Sequence, residues 1–186
     1  MTRILVFGGT FDPPHIAHTS LVEEAMLHLE CDKVLFVIAA RSPFKKSHQQ
    51  SSAQDRLAML QLAITNCQWA TISTIELDRG GTSYTIDTLE ELQQQSEEEV
   101  NLTLLIGEDQ AASFDQWHRN EDIQKIAHVV LLSREGSFSD RFDCIPIEPI
   151  ALSSTEIRAL VQRGKSIDGL VIPSVAAYID EHNLYK

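Results

Sequence analysis

Apolar runs short enough to be strands alternate along this chain with segments of helical periodicity, and this alternation restricts the fold more than any other feature. The run at 33–40 reads KVLFVIAA and is apolar from its second residue onward, which is typical of a strand covered on both faces. The same criteria predict further strands at 3–7, 70–77, 102–106, 128–133 and 144–147.

The segments between these runs carry apolar residues three and four positions apart, which is the spacing of a helix face. They predict helices at 16–30, 53–65, 85–95, 113–118, 121–126, 153–163 and 174–182. The alternation therefore predicts an α/β fold, a Rossmann-like doubly wound and mostly parallel sheet with helices on both faces. Ligands of such sheets bind at the carboxyl ends of the strands, so the loops after Phe7, Ala40, Ile106 and the last strand are expected to meet around one site.

Length and charge limit the class of protein further. The 186 residues fit a single domain over 1–186. The net charge of −12 argues against a nucleic-acid partner, because surfaces that follow a phosphate backbone are broadly basic. No apolar stretch approaches the roughly 20 residues that cross a bilayer, so no membrane partner is expected. Composition leaves the oligomeric state open, a homo-oligomer included.

The cysteines indicate the compartment rather than a site. Cys31, Cys67 and Cys144 are far apart in the sequence, odd in number and without metal-ligand spacing. They predict reduced thiols and no metal held by side chains alone. The first residues run directly into a predicted strand without the apolar segment of a signal peptide, so a cytoplasmic protein is expected.

A glycine-rich turn follows the first predicted strand, and 8–18 reads GGTFDPPHIAH. Gly8 and Gly9 allow a ligand to approach the backbone closely. A helix that starts near Pro14 or His15 would direct free N–H groups toward an anion, and His15 and His18 would lie on one helix face. The turn lacks the residues of a P-loop and of a dinucleotide-binding loop. The alternative is a helix start with two solvated histidines.

This segment resembles the HxGH signature of the nucleotidylyltransferase superfamily, with Ala17 at the position of the glycine. The resemblance implies catalytic roles for His15 and His18 at the phosphates of ATP. It implies an ATP-binding role for the residues Gly8, Gly9, Thr10, Phe11, His15 and His18. Glycine at position 17 would bring the nucleotide nearer the helix backbone, so Ala17 bears on how the base fits.

A second motif, LSSTEIR at 152–158, reads from the residues alone as a hydroxyl-capped helix start. It resembles the superfamily's second signature, ISSTxIR. The resemblance implies that Ser153, Ser154, Thr155 and Arg158 bind the ATP phosphates opposite the histidines, with Arg158 catalytic through its forked guanidinium. Residues 153–186 would then be a C-terminal helical part that completes the phosphate site.

Further motifs resemble the bacterial nicotinate-nucleotide adenylyltransferase family over nearly the whole chain. They are Ser-Tyr-Thr at 83–85, Gly-Glu-Asp at 107–109, Phe-x-x-Trp at 114–117 and Arg-x-Gly at 134–136. The resemblance implies an acceptor site formed by Tyr84, Thr85, Gly107, Asp109, Trp117, His118 and Arg134. The backbone N–H of Thr85 would meet the nicotinate carboxylate, Trp117 would stack on the pyridine ring, and Asp109 would accept a ribose hydroxyl. Without the resemblance, Trp117 could be a core aromatic and Asp109 a helix cap.

The chain departs from this family around the acceptor base. Ala39 replaces an asparagine, Phe44 replaces a histidine and His118 replaces a tyrosine, whereas Lys45 is kept. Lys45 is expected to act on the phosphates together with His15, His18 and Arg158. A solvated basic loop is the alternative at this lysine.

The implied reaction is an in-line attack of a mononucleotide 5′-phosphate on the α-phosphorus of ATP, without a covalent enzyme intermediate. The expected partners are ATP and nicotinate mononucleotide, with Mg²⁺ as a cofactor held through the ATP phosphates. Alternatives are another enzyme of the superfamily, such as phosphopantetheine adenylyltransferase or a cytidylyltransferase, and a nucleotide-binding module without turnover.

Overall fold

The computed structural model describes residues 1–41, 50–96, 98–133, 139–147 and 150–186. Strands in this part of the chain are β1 (Thr2–Gly9), β2 (Lys33–Ile38), β3 (Ala70–Ser73), β4 (Val100–Gly107), β5 (Ala127–Ser133) and β6 (Asp143–Pro146). Helices are α1 (Ile16–His28), α2 (Ala53–Ala63), α3 (Ile75–Arg79), α4 (Thr85–Gln95), α5 (Glu108–Ala112), α6 (Asn120–Ile126), α7 (Ser154–Gln162) and α8 (Pro173–Glu181). A 3₁₀ turn covers Phe114–Gln116.

The strands form one six-stranded sheet in the order β3-β2-β1-β4-β5-β6, and every neighbouring pair is parallel. The predicted α/β doubly wound fold is confirmed. The strand order reverses between β1 and β4, so the loops that follow these two strands diverge to opposite faces. A crevice opens at such a switch point, at the carboxyl ends of the strands.

Alternate residues of the central strand β1 explain why helices cover both faces of the sheet. Leu5 belongs to a buried cluster with Val22 of α1 and Leu60 of α2. Ile4 and Val6 belong to a second cluster on the other face, which contains residues of α4 and α6. A parallel strand buried on both sides carries apolar residues without alternation, as β1 does from Ile4 to Phe7.

The predicted strand at 70–77 is wrong in its second half. β3 ends at Ser73, and the short helix α3 begins at Ile75. Thr74 Oγ1 donates to Asp78 Oδ2 at 2.8 Å, which favours a helical turn over an extended one. The helix α5 directly after β4 was also not predicted, because its five residues are too short to show a helical period.

The C-terminal helices pack on the body of the molecule through α2. Met59 of α2 lies in a buried cluster with Ile157 of α7 and with Val175 and Ile179 of α8. These contacts bring the start of α7 next to the loop that follows β1. The one-domain organisation, with 153–186 as its helical part, stays a prediction. No helix in the described part of the chain is long and apolar enough to cross a membrane.

Candidate active site

Two cavities open side by side at the carboxyl edge of the sheet. The larger has a volume of about 1010 Å³ and the smaller about 300 Å³. Both are lined by Gly8, Gly9, Thr10, Asp109 and Gln110. The end of β1 with Thr10, and the helix α5 that directly follows β4, therefore form a common wall at which ligands in the two cavities would meet.

The larger cavity is lined by both signature segments, which lie at opposite ends of the chain. Every residue predicted to bind ATP is among its lining residues: Gly8, Gly9, Thr10, Phe11, His15, His18, Ser153, Ser154, Thr155 and Arg158. Gly107, which was predicted on the acceptor side, lines this cavity and is absent from the lining of the smaller one. Lys45 and Arg134 lie outside the described residues.

His15 and His18 form a stacked pair, with ring centroids 3.6 Å apart and an interplanar angle of 21°. His15 is the N-cap of α1 rather than a helical residue. Its backbone N–H donates to Nδ1 of His18 at 3.2 Å. A neutral imidazole that accepts at Nδ1 carries its proton at Nε2, so this contact makes Nε2–H of His18 a hydrogen-bond donor.

Burial lowers the pKa of His15 from 6.5 to about 4. The side chain is 8% exposed, and water is therefore largely excluded from the charged form. Its Nδ1 has no hydrogen-bond partner among the described residues. His15 is neutral at pH 7 in the ligand-free protein, and a ligand oxygen would supply a partner for the buried nitrogen.

The predicted anion site at the first N–H of α1 is wrong in one respect. The N–H of Ile16 donates to the carbonyl of Leu170 at 3.0 Å, so it is already engaged by the loop between α7 and α8. Ala17, the departure from the signature, is 4% exposed and is absent from the lining of both cavities. Its methyl group therefore takes no space from a ligand.

The two glycines of the turn serve different purposes. A Cβ atom at Gly9 would lie 2.8 Å from the ring of Phe11, whereas one at Gly8 would meet nothing within 4 Å. Gly9 is needed so that Phe11, which is 2% exposed, can fold over the strand end. Gly8 leaves open space at the wall that the two cavities share.

The start of α7 is tied directly to the loop after β1. Ser153 caps the helix in a reciprocal pair of hydrogen bonds with Glu156. The hydroxyl of Ser154 donates to the carbonyl of Pro13 at 2.9 Å. Arg158 Nη1 donates to the carbonyl of Asp12 at 2.7 Å, so its guanidinium lies at the cavity wall.

Arg56 supports the same loop from beneath. It is 2% exposed, and Nη1 donates to the carbonyl oxygens of Thr10 at 3.0 Å and Ala39 at 2.7 Å. A buried guanidinium needs such acceptors. These contacts give Arg56 a structural role beneath the loop.

The smaller cavity lies over the start of α4. Its lining includes the predicted acceptor residues Tyr84, Thr85, Asp109, Trp117 and His118. Thr85 is the first residue of α4, and no side chain caps that N-terminus, where unpaired N–H groups and the helix dipole favour an anion.

Aromatic rings line one end of the smaller cavity. The ring of Trp117 packs 5.1 Å from that of the fully buried Phe114. The rings of Tyr84 and His118 lie 4.7 Å apart. Flat rings on a rigid support suit a planar heterocycle.

Other residues of the site were not predicted. Glu76 and Thr88 are buried in the smaller cavity, where Thr88 Oγ1 donates to Glu76 Oε1 at 2.8 Å. Gln110 lies on the shared wall and accepts at Oε1 from the N–H of Gly107 at 3.0 Å. The signal for Thr88 was its place one turn after Thr85, whereas Glu76 was assigned to a strand. No cluster of three or more His, Cys, Asp or Glu side chains suited to a metal occurs within the described ranges.

The fold and this site agree with a comparison against family models. The model of the cytidylyltransferase-like family matches residues 6–160, and the chain belongs to this family. The match covers the loop after β1 and the start of α7, the two segments that line the larger cavity.

Curated relatives show to which group within this family the chain belongs. A protein of Herpetosiphon aurantiacus named "Probable nicotinate-nucleotide adenylyltransferase" is 37% identical over 100% of this chain and 99% of its own. A relative of the same name from Exiguobacterium sibiricum is 38% identical and covers 98% of both chains. Identity of this extent places the chain within the nicotinate-nucleotide adenylyltransferase family.

A solved structure agrees in fold. It is the nicotinic acid mononucleotide adenylyltransferase of Plasmodium falciparum complexed with NaAD, with a TM-score of 0.80 and 19% identity. The alignment covers 100% of this chain and 98% of that one.

Proposed function

We propose that this protein transfers the adenylyl group of ATP to nicotinate mononucleotide, giving deamido-NAD and pyrophosphate. The observation that carries the proposal is the wall shared by the two cavities. A triphosphate in the larger cavity and a mononucleotide in the smaller would bring their phosphates together at Gly8, Gly9 and Thr10. The names of the relatives support the same substrates.

The reaction needs no general base on the protein. A nucleotide 5′-phosphate is already ionised near neutral pH, so it can attack the α-phosphorus directly while pyrophosphate leaves in line. Catalysis then depends on positioning and on stabilising charge in the transition state. We assign these tasks to His15, His18, Lys45 and Arg158.

His18 is the donor that the geometry defines best. Because Nδ1 accepts from the backbone of His15 at 3.2 Å, the proton of the neutral ring lies on Nε2, which would donate to a phosphate oxygen. Neutral His15 would use its ring nitrogens for hydrogen bonds and for orienting His18, with which it stacks. Positive charge would come from Arg158 at the start of α7, whose fork suits phosphate oxygens.

The acceptor would lie over the start of α4. The N–H of Thr85 would donate to the nicotinate carboxylate, which the dipole of α4 favours. Trp117 would stack on the pyridine, Asp109 would accept a ribose hydroxyl, and Tyr84 and His118 would enclose the ring. Gly107, at the end of β4, would face ATP in the larger cavity, and Arg134 would contact the acceptor.

Mg²⁺ would be held chiefly through the phosphates of ATP. Mg²⁺ is usually bound through substrate phosphates together with one or two carboxylates rather than by a full set of protein ligands. When bound, it neutralises part of the triphosphate charge. Cys31, Cys67 and Cys144 are free thiols, as is usual in the cytoplasm, and we propose that compartment for the protein.

An acceptor panel tests the proposal. The protein is incubated with ATP and Mg²⁺ and, in turn, nicotinate mononucleotide, nicotinamide mononucleotide and phosphopantetheine; CTP replaces ATP in a parallel series. Pyrophosphate and the dinucleotide are quantified together. The highest kcat/KM is expected with ATP and nicotinate mononucleotide. Failure with both pyridine mononucleotides would contradict the substrate, and no pyrophosphate with any pair would indicate a binding module.

A variant tests the role of His18. His18→Ala should lower kcat by about 100-fold or more, the range for loss of a transition-state donor, with an unchanged far-ultraviolet circular dichroism spectrum. His28→Ala, on the exposed end of the same helix, is the matched control and should keep its turnover. Near-normal kcat in His18→Ala would remove His18 from the mechanism.

A further inference from the structure

The penultimate residue of the chain reaches the loop after β1. The hydroxyl of Tyr185 donates to Asp12 Oδ1 at 2.6 Å. Asp12 is 4% exposed and is three positions before His15. The end of the chain is thus joined by a hydrogen bond to a carboxylate inside the signature segment.

Asp12 is held from other sides as well. Its Oδ2 accepts from the N–H of Ser51 at 3.4 Å, and its carbonyl accepts from Arg158 Nη1 at 2.7 Å. The preceding residue, Phe11, has a φ of 52°, a left-handed conformation that side chains rarely adopt without support. The path of the loop into His15 therefore depends on contacts from distant parts of the chain.

Packing fixes the direction of the Tyr185 hydroxyl. The ring lies against the buried cluster formed by α2, α7 and α8, and the hydroxyl also lies 3.9 Å from Met59 Sδ. Asn183 and Tyr185 have φ values of 51° and 63°, which turn the chain back after α8. Burial raises the pKa of Tyr185, so the hydroxyl stays protonated and keeps donating.

We propose that Tyr185 is a positioning residue for nucleotidyl transfer, which through Asp12 holds the loop that carries His15 and His18. The inference rests on the proposed function. Tyr185 lines neither cavity, so it acts on the reaction through the loop rather than by touching a substrate. Asp12 itself lines the larger cavity, and a shift of about 1 Å in such groups can cost about 100-fold in rate.

The chain offers a matched control in Tyr178. Its hydroxyl donates to Asp55 Oδ1 at 3.0 Å, and its ring packs on the same cluster. Tyr178→Phe and Tyr185→Phe each remove one tyrosine–aspartate hydrogen bond between the C-terminal part and the rest of the molecule. Only the bond of Tyr185 ends on the loop after β1.

Two measurements on the full-length variants test the role. Steady-state kinetics should show kcat lowered about tenfold or more in Tyr185→Phe, with the KM for the acceptor within about twofold, whereas Tyr178→Phe keeps the wild-type kcat. Amide hydrogen exchange should be faster at 10–18 in Tyr185→Phe only. Melting temperatures of both variants show whether a general loss of stability accounts for the difference.

Equal kcat and equal exchange in the two variants would overturn the inference. The exchange measurement does not depend on turnover. If wild-type protein makes no product from any substrate pair, the proposed function fails, while faster exchange confined to Tyr185→Phe still supports the tie to the loop. Unchanged exchange at 10–18 in Tyr185→Phe would overturn it whatever the activity.

Discussion

Proton binding at His15 is unfavourable because the ring is buried. The folded protein holds its pKa at about 4, against 6.5 for the free side chain. Between these two values the unfolded chain takes up a proton that the folded chain does not. The free energy of unfolding therefore falls as pH falls from about 6.5 to about 4. Above about pH 6.5, where His15 is neutral in both states, it causes no loss of stability.

Replacing His15 should remove this part of the pH dependence. A pKa difference of this size predicts that titration of His15 lowers the free energy of unfolding of the wild type by about 2 kcal/mol between about pH 7.5 and about pH 5. In His15→Asn the drop in unfolding free energy between these pH values should be smaller than in the wild type by that amount. Urea unfolding at both pH values measures it. His28→Ala, which removes an exposed histidine, should lose as much as the wild type. Parallel losses in His15→Asn and the wild type would show that His15 titrates normally.

A substitution of Trp117 tests the binding of the acceptor separately from the binding of ATP. Stacking of an aromatic side chain on a base is worth about 1–3 kcal/mol, so Trp117→Leu should raise the KM for nicotinate mononucleotide about tenfold or more. The KM for ATP should stay within about twofold. Trp69→Leu is the control, since Trp69 is half-buried and lines neither cavity. A uniform rise in both KM values would instead indicate a general disturbance of the sheet edge.

At the scale of elements, the start of α7 carries the strongest link between the two signatures. Arg158 donates both to the carbonyl of Asp12 and, at 3.2 Å, to Thr155 Oγ1. A lysine has no planar fork and cannot keep both contacts while binding a phosphate. The orientation of this helix therefore depends on an arginine at this position.

Arg158→Lys should lower kcat/KM for ATP about tenfold or more, the cost of losing a charged, forked hydrogen bond. Initial rates at varied ATP and fixed acceptor measure it. Arg163→Lys, at the exposed C-cap of the same helix, should leave kcat/KM unchanged. Equal values for the two variants would assign Arg158 to structure alone.

Elements with a strong local period could be predicted from the sequence. The helix at 85–95 is observed with those bounds, because its apolar residues recur at helical spacing after a clear start. Ile75 and Glu76 were assigned to a strand because a β-branched run precedes them. Their burial in α3 depends on packing against the sheet, which no local pattern records.

The residues of the site also fall into two groups, those that a local motif predicts and those that only packing brings together. His15, His18 and Arg158 stand in short contiguous motifs, so their residue types and spacing could be read directly. The contacts of Asp12 with Tyr185 and of Arg56 with Thr10 join residues 173 and 46 positions apart. Such pairs arise from the packing of α2 on the sheet and of α8 on α2, and they have no signature in the sequence.

At the scale of the whole molecule, strand order determines how the ligands meet. Because β1 and β4 are neighbours in the sheet, the end of β1 at Gly8 and Gly9 faces the helix α5, which contains Asp109. Each cavity extends away from this wall to its own side. A dinucleotide whose halves match the two substrates would therefore occupy both cavities at once.

This arrangement predicts the pattern of product inhibition. Deamido-NAD should raise the apparent KM for ATP and for nicotinate mononucleotide alike, because its adenosine half fills the larger cavity and its pyridine half the smaller. A non-hydrolysable ATP analogue should compete with ATP and leave the KM for the acceptor unchanged. Initial rates with each substrate varied at several inhibitor concentrations separate the two patterns. If deamido-NAD competed with one substrate only, the two cavities could not be the two halves of a single dinucleotide site.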